Sequence, residues 1–398
     1  MGGSLAGLFA GIVLKRLGHN VRILERSATS LLQTQGAGIV AGGDTQAFFQ
    51  RHDLTKTPIA AVSKLRHYLG RQGQEIDRDE REQKMTSWDL LYNILRANFD
   101  GGGDRSYCDV PSGGKNDGQA VYEVDCIVTS VHETGNNEME VAFHSHSDTE
   151  GKQTATSDLV IAADGASSTI RNFFNTTPRQ YAGYVAWRGT VPESVITASY
   201  PAAAEAFIEK FTFYHSTGLQ ILAYIIPGPG GTLKPGERLL NFVWYCNYAE
   251  GSDEWRDLMT DVDGKLNSTT LHAGKMRPEI WQRQKKYARE VLPPQFADLV
   301  CATKEPFVQA ISDVISDSVM FANGKVICVG DAVAGFRPHT AASTTQAARH
   351  ALGIEEVMKG NMSWDEWQQD TLRYASDLQR SGVSMGDRSQ FGRHPLSS

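Results

Sequence analysis

Gly2-Gly3-Ser4-Leu5-Ala6-Gly7 fits G-x-S-x-x-G, a dinucleotide-binding spacing with serine at the second glycine. Glycines at such a turn let the backbone approach a pyrophosphate, and the amides and positive end of the next helix complement its charge. Glu25 follows Gly7 by 18 residues, where an acid would accept from a ribose hydroxyl. Small residues at a helix start also serve close packing, so Glu25 is what tips the spacing toward a nucleotide. A second match, Gly36-Ala37-Gly38-Ile39-Val40-Ala41, follows residues 31–35, which lack strand character. It reads as a loop, and no second nucleotide fold is expected.

Two more acids stand at strand ends. Leu159–Ala163 is a buried strand delivering Asp164-Gly165, with Ser168 and Arg171 three residues apart on a helical turn. An Asx cap explains the Asp and Gly but not the arginine. Val329-Gly330-Asp331 repeats the arrangement, and Arg337-Pro338-His339-Thr340 leads into a helix whose N-terminus suits an anion.

Acid–base candidates are fewer. His215 ends Phe-Thr-Phe-Tyr-His on an aromatic strand, Tyr224 lies on the next, and His339 precedes the last glycine-poor loop. Each has a plainer role: a half-exposed strand histidine, a core tyrosine, a histidine capping the following helix. Trp187 and Arg188 line a site or serve core packing and a surface ion pair. His144 and His146 share a strand face without carboxylate or cysteine company, so a solvated surface is expected and no metal.

These groups need elements to hold them. Residues 5–18 form an apolar helix with a glycine stop, and 21–25 a short buried strand. Trp88, Leu91, Leu95 and Phe99 mark an amphipathic helix over 88–99. Met139, Val141 and Phe143 alternate, and the linker 148–152 is expected to pair that strand with 159–163 as a hairpin. Strands at 211–215, 219–226 and 239–246 around the loop 227–236 predict an antiparallel sheet. A strand at 326–330, a helix from about 342, an amphipathic stretch at 363–380 and a polar tail at 381–398 complete the chain. The fold class is therefore α/β, a Rossmann-like domain with an inserted antiparallel-sheet domain. The boundaries expected are 1–178 for the first part of the nucleotide domain, with a small strand insert near 60–80. The inserted sheet follows at 179–320, the last part of the nucleotide domain at 321–350, and a C-terminal helix and tail at 351–398.

The 398 residues carry 39 Lys plus Arg against 46 Asp plus Glu, a net charge of −7, which disfavours nucleic acid. Five scattered cysteines without C-x-x-C spacing indicate a reducing, cytoplasmic compartment rather than zinc or disulfides. The early apolar run, Leu5 to Leu14, has 10 residues and is too short to span a bilayer. A homodimer is the one oligomer considered.

With three strand-end acids in this order, the chain resembles the class A FAD-dependent aromatic hydroxylases from residue 2 to about 350. Tyr181-Ala-Gly-Tyr-Val-Ala-Trp187-Arg188-Gly and Gly330-Asp-Ala…Phe336-Arg-Pro-His-Thr-Ala-Ala are similar to the 2,6-dihydroxypyridine 3-monooxygenase-like branch. The resemblance implies that Gly2, Ser4 and Gly7 face the FAD pyrophosphate and Glu25 the adenosine ribose, with Arg26 beside it. Asp164 and Gly165 would serve FAD and a passing NAD(P)H, and Asp331 the ribityl chain. Ala341, Ala342, Ser343 and Thr344 would open a helix aimed at the flavin pyrimidine edge. Trp88 stands where many relatives carry arginine, and Ser343 replaces a usual glycine.

The implied reaction is hydroxylation of a hydroxylated aromatic or N-heteroaromatic small molecule. NAD(P)H would reduce the flavin, O2 would add to it as a hydroperoxide, and the distal oxygen would pass to the ring. Epoxidation or oxidative rearrangement in a biosynthetic pathway is the alternative on the same fold. A flavin-free relic or binding protein is the alternative outside it, because only Met1 precedes the glycine-rich turn where a strand should stand. On that ground the start is expected to be truncated or misannotated and the 398-residue form to hold FAD poorly.

Overall fold

A computed structural model describes residues 1–28, 38–148, 151–174, 177–392 and 395. Leu5–Arg16 (α1) buries Leu8, Phe9, Ile12 and Val13 completely, so it is a core helix rather than an amphipathic one. Lys15 in its last turn reaches the carbonyls of Asn98 and Phe99, at 3.1 and 2.6 Å. Val21–Leu24 (β1) has its first half toward solvent, where Arg22 pairs with Glu123, and only Ile23 and Leu24 are buried. The helix Trp88–Asp100 (α2) starts where the Ser87 hydroxyl accepts from the Leu90 amide and stops at Gly101, φ +73°. Ala120–Glu123 (β2) runs parallel to β1.

The Met139–His144 strand does form a hairpin, but with Gln153–Ser157, not with the next apolar segment. That segment, Val160–Ala162 (β3), is buried on a different sheet. Alternating Thr and Ala at 153–157 make a half-buried partner strand that an apolar criterion misses. Gly38–Val40, expected as loop, is a short strand antiparallel to Gln83–Ser87; the remainder of that motif, Gly36 and Ala37, lies outside the described residues.

Next comes a nine-stranded sheet, counted among the described residues. Its main strands are Gln180–Pro192 (β4), Lys210–Ser216 (β5), Leu219–Ile226 (β6), Leu239–Asn247 (β7) and Phe307–Ile315 (β8), ordered β8-β4-β7-β6-β5. Leu65–Leu69 joins β5 in parallel and Glu75–Asp79 follows it, so the 60–80 insert extends this sheet. One face packs Trp187, Ile221, Phe242 and Trp244 against the helices Pro278–Val291 and Pro294–Ala302. The other carries Tyr184, Phe213, Tyr224 and Tyr245.

Val326–Cys328 (β9) pairs in parallel with β3. Ser343–Met358 (α3) packs on α1, and Trp364–Gln390 (α4) opens with a Ser363/Glu366 capping box. Residues 381–390, expected as polar tail, continue α4 and reach across to the large sheet. Ser389 donates to Gln220 at 2.7 Å and Asn247 to the Gln390 carbonyl at 2.8 Å. Gly382, Gly386 and Ser389 share one helix face, and their small size admits Arg337 and Tyr184 against the backbone. Among the described residues, no helix is long and apolar enough to cross a membrane.

Candidate active site

Met1 and Gly2 lie between β1 and β3. The Met1 amino group donates to the Ile161 carbonyl at 2.7 Å, Ala163 donates to Met1 at 2.8 Å, and Gly2 donates to Leu24 at 2.9 Å. They bridge the parallel pairs β1/β2 and β3/β9, so Glu25, Asp164 and Asp331 all emerge at C-terminal strand ends. That is where open α/β sheets bind nucleotides.

The glycine turn is a cradle that side chains would fill. Gly2 has φ +92°, and a Cβ there would stand 2.3 Å from the Ala163 carbonyl oxygen. A Cβ on Gly7 would stand 2.0 Å from the Gly2 oxygen, where the helix crosses the strand end. Ser4 opens α1 without a side-chain cap, leaving first-turn amides for an anion. Its hydroxyl instead accepts from Trp88 Nε1 at 3.2 Å. Trp88 stacks on Tyr92 at 4.5 Å, Tyr122 donates to the Gly3 carbonyl at 2.9 Å, and Arg96 covers the Tyr122 ring at 3.6 Å. Together these rings brace the turn. Glu25, buried, accepts from the Gly3 and Ser27 amides, both at 2.7 Å, and Arg26 beside it is exposed.

Asp164 accepts from Ser168 Oγ and the Thr169 and Ile170 amides at 2.5, 2.7 and 3.1 Å. The plain Asx-cap reading therefore describes its carboxylate, while Gly165, φ +83°, leaves open space beside it. Arg171 is buried and donates to the carbonyls of Ala332 and Ala166, at 2.8 and 3.0 Å. It ties the Asp164 turn to the Asp331 turn, which is the role the cap left unexplained. Dehydration pushes the Asp331 carboxyl up to about 6, and a hydrogen bond with Ser343 partly offsets this.

The loop before α3 carries its conformational demand at Ala341, φ +51°, not at Ser343, which sits in ordinary helical backbone. Serine in place of glycine is therefore tolerated and gives Asp331 a partner. Ala342 and Thr344 are buried at the helix start.

This loop lies against the large sheet. His339 Nε2 shares a 3.0 Å hydrogen bond with the Tyr184 hydroxyl, and its ring lies 4.4 Å from that of Tyr245. Burial pulls its pKa down to about 3, aided by Arg337, so it stays neutral near pH 7. Tyr224 is on the same face, and burial raises its phenol to about 12. His215 is buried, not half-exposed, with its ring 6.2 Å from Phe213 and 6.4 Å from Tyr68 on the outer strands. The structure thus joins His339 and Tyr224 to one face and sets His215 toward its rim.

Trp187 belongs to the opposite face. Alternation missed Tyr184, Tyr245 and Asn241, although an asparagine inside Leu-Leu-Asn-Phe-Val-Trp-Tyr is a visible irregularity. His146 pairs with Asp125, and among the described residues no cluster of three metal-ligating side chains occurs. An open cleft is lined by Gly218, Tyr248 and Tyr287, none of which belongs to the strand-end turns.

A nucleotide cradle at strand ends facing an aromatic antiparallel sheet is the arrangement of FAD-dependent aromatic hydroxylases, and the chain is similar to them in sequence and in fold. Its residues 181–313 match a family profile described as FAD binding domain-like. The chain is similar to 2,6-dihydroxypyridine 3-monooxygenase of Paenarthrobacter nicotinovorans, 28% identical over 397 residues, covering 98% of this chain and 91% of that protein. The solved 2,6-dihydroxypyridine-3-hydroxylase of Arthrobacter nicotinovorans superposes with a TM-score of 0.82 at 26% identity, covering 100% of this chain and 94% of the other. Klebsiella pneumoniae HpxO, solved with FAD and uric acid, shares the fold at a TM-score of 0.71 and 19% identity, with 99% and 89% covered.

Proposed function

We propose that the chain hydroxylates a small hydroxylated N-heteroaromatic ring of the dihydroxypyridine kind, using FAD, NAD(P)H and O2. The observation that carries this is the aromatic, donor-bearing sheet face placed directly beneath the loop 338–344. When bound, FAD supplies hydride acceptance from NAD(P)H and activation of O2.

The chain's own residues do the rest. Gly2, Gly7 and the first-turn amides of α1 receive the pyrophosphate, Ser4 is held in place by Trp88, and Glu25 orders the turn toward the ribose. Asp331 and Ser343 would hold the ribityl hydroxyls, and the amides at 342–344 would complement negative charge at the flavin edge, the Ala341 amide being taken by the Pro338 carbonyl at 2.9 Å. Asp164 shapes the turn through which Gly165 leaves room for the cofactors. Phe211, Phe213, Tyr245 and Ile311 exclude water from the ring. Tyr184 fixes the neutral His339.

Flavin-loaded protein incubated with NADH or NADPH and 2,6-dihydroxypyridine should yield product heavier by one oxygen atom, read by mass spectrometry. Cofactor oxidation that yields only hydrogen peroxide across dihydroxypyridines and phenols would defeat the reading.

A further inference from the structure

The turn that presents Asp331 is held from beneath by two buried polar side chains of one helix. Gly330, just past β9, has φ +60°, and a Cβ there would stand 2.6 Å from that of Ala6 on α1. The turn is therefore packed tightly against the helix that follows the glycine-rich start. Its first carbonyl, that of Gly330, is taken within the turn by the Val333 amide at 2.9 Å. The Gly330 amide donates instead to a side chain, His350 Nδ1, at 3.0 Å. Four residues earlier on the same face of α3, Gln346 donates its Nε2 to the Ala334 carbonyl at 2.9 Å. One turn of α3 thus grips both ends of the segment 330–334. Gln346 and His350 are 0% and 1% exposed.

Neither side chain suits a packing role. The far ends, His350 Nε2 and Gln346 Oε1, are buried with no hydrogen-bond partner among the described residues. Leucine would fill the same space without stranding a polar atom, so the bonds to the turn are what offsets that cost. The imidazole accepts from an amide only when neutral. Burial, aided by Arg349 and opposed by Asp370, lowers its pKa to about 3 and keeps it so. Trp367 of α4 donates its indole N–H to the His350 carbonyl at 3.2 Å, and its ring stands edge-on to the imidazole at 6.1 Å. We propose that His350 and Gln346 are positioning residues that clip this turn and so aim the Asp331 carboxylate at the sugar chain of the flavin. They act through Asp331 rather than on the cofactor. The clip depends on the placement of Asp331 against that chain and not on which ring is hydroxylated.

The test compares FAD with ADP, which carries the adenosine and pyrophosphate but lacks the ribityl chain and the flavin. Flavin-loaded full-length protein is dialysed over a series of FAD concentrations, and ADP affinity is read from the concentration that displaces the flavin. His350→Leu should weaken FAD about tenfold, the worth of one hydrogen bond, and leave ADP unchanged. His350→Asn, whose amide oxygen stands close to the place of Nδ1, should restore FAD affinity to near that of the native chain. Equal losses of FAD and ADP, no loss of FAD, or an Asn variant as weak as the Leu variant overturn the proposal. If His350→Leu does not fold, Gln346→Leu is read the same way. A loss of about tenfold on FAD alone then supports the clip, and equal or absent losses overturn it. Asp331→Asn separates the two layers. Loss of FAD alone in that variant, with none in His350→Leu, removes the clip and keeps Asp331 at the flavin. Equal loss of FAD and ADP in Asp331→Asn removes both.

Discussion

The two faces of the nine-stranded sheet come from the same strands and differ only in which alternate residues they carry. On β7, Leu240, Phe242 and Trp244 look one way, and Asn241, Val243 and Tyr245 the other. The first set meets helices: Trp187 stacks on Trp281 and Trp244 on Tyr287, each at 5.7 Å. The second meets the loop at 338–344 and retains unpartnered donors at Arg188 and Asn241. Unpartnered buried donors occur on both faces, at Trp187 and Trp244 on the first and at Arg188 and Asn241 on the second, so the faces are told apart by what covers them rather than by polar remainder.

That contrast can be broken by mutation. Trp244→Ala, on the helix-covered face, should cost about 3–5 kcal/mol of stability through transfer and cavity terms, measured by denaturant unfolding. Aromatic-ligand affinity of the folded fraction should be unchanged. Asn241→Leu should do the reverse. Removing an unsatisfied buried amide should leave stability equal or raise it by about 1 kcal/mol, while binding of 2,6-dihydroxypyridine falls about tenfold in dialysis. A loss of stability comparable to Trp244→Ala would erase the distinction between the faces.

Smaller effects sharpen it. Tyr224→Phe should keep the fold and weaken binding about threefold to tenfold, the worth of one neutral hydrogen bond. Loss of flavin instead would place the tyrosine in the core role. His339 provides a pH test. Its pKa is about 3 folded against 6.5 unfolded, so between those values the unfolded chain binds more protons. Stability should therefore fall as pH drops through that window, and His339→Gln should remove about one proton of slope, read from unfolding free energy against pH. An unchanged slope would mean the ring is open to solvent protons.

Much of the candidate site is legible in the sequence. Gly2, Ser4, Gly7, Glu25, Asp164 and Asp331 stand at turns that spacing alone marks, because backbone chemistry at a strand end needs particular residues at fixed intervals. Arg171 showed as an unexplained residue, and its use appeared only when two turns distant in sequence met. The hairpin partner of 139–144 and the last ten residues of α4 were misread for one reason. Both are polar or small in composition and earn their structure from what they pack against.

By itself the sequence determined the fold class, the order of the three acids and the sheet whose alternation separates two faces. It could not say which face would meet the cofactor loop. That was decided by α4 and the loop 338–344 docking on the tyrosine side, where Gly386 gives Tyr184 room and His339 takes its hydroxyl. Periodicity records that residues alternate; only packing between distant segments assigns each side its neighbour, and with it the difference between a tryptophan at 187 under the helices and an arginine at 188 on the side of the loop 338–344.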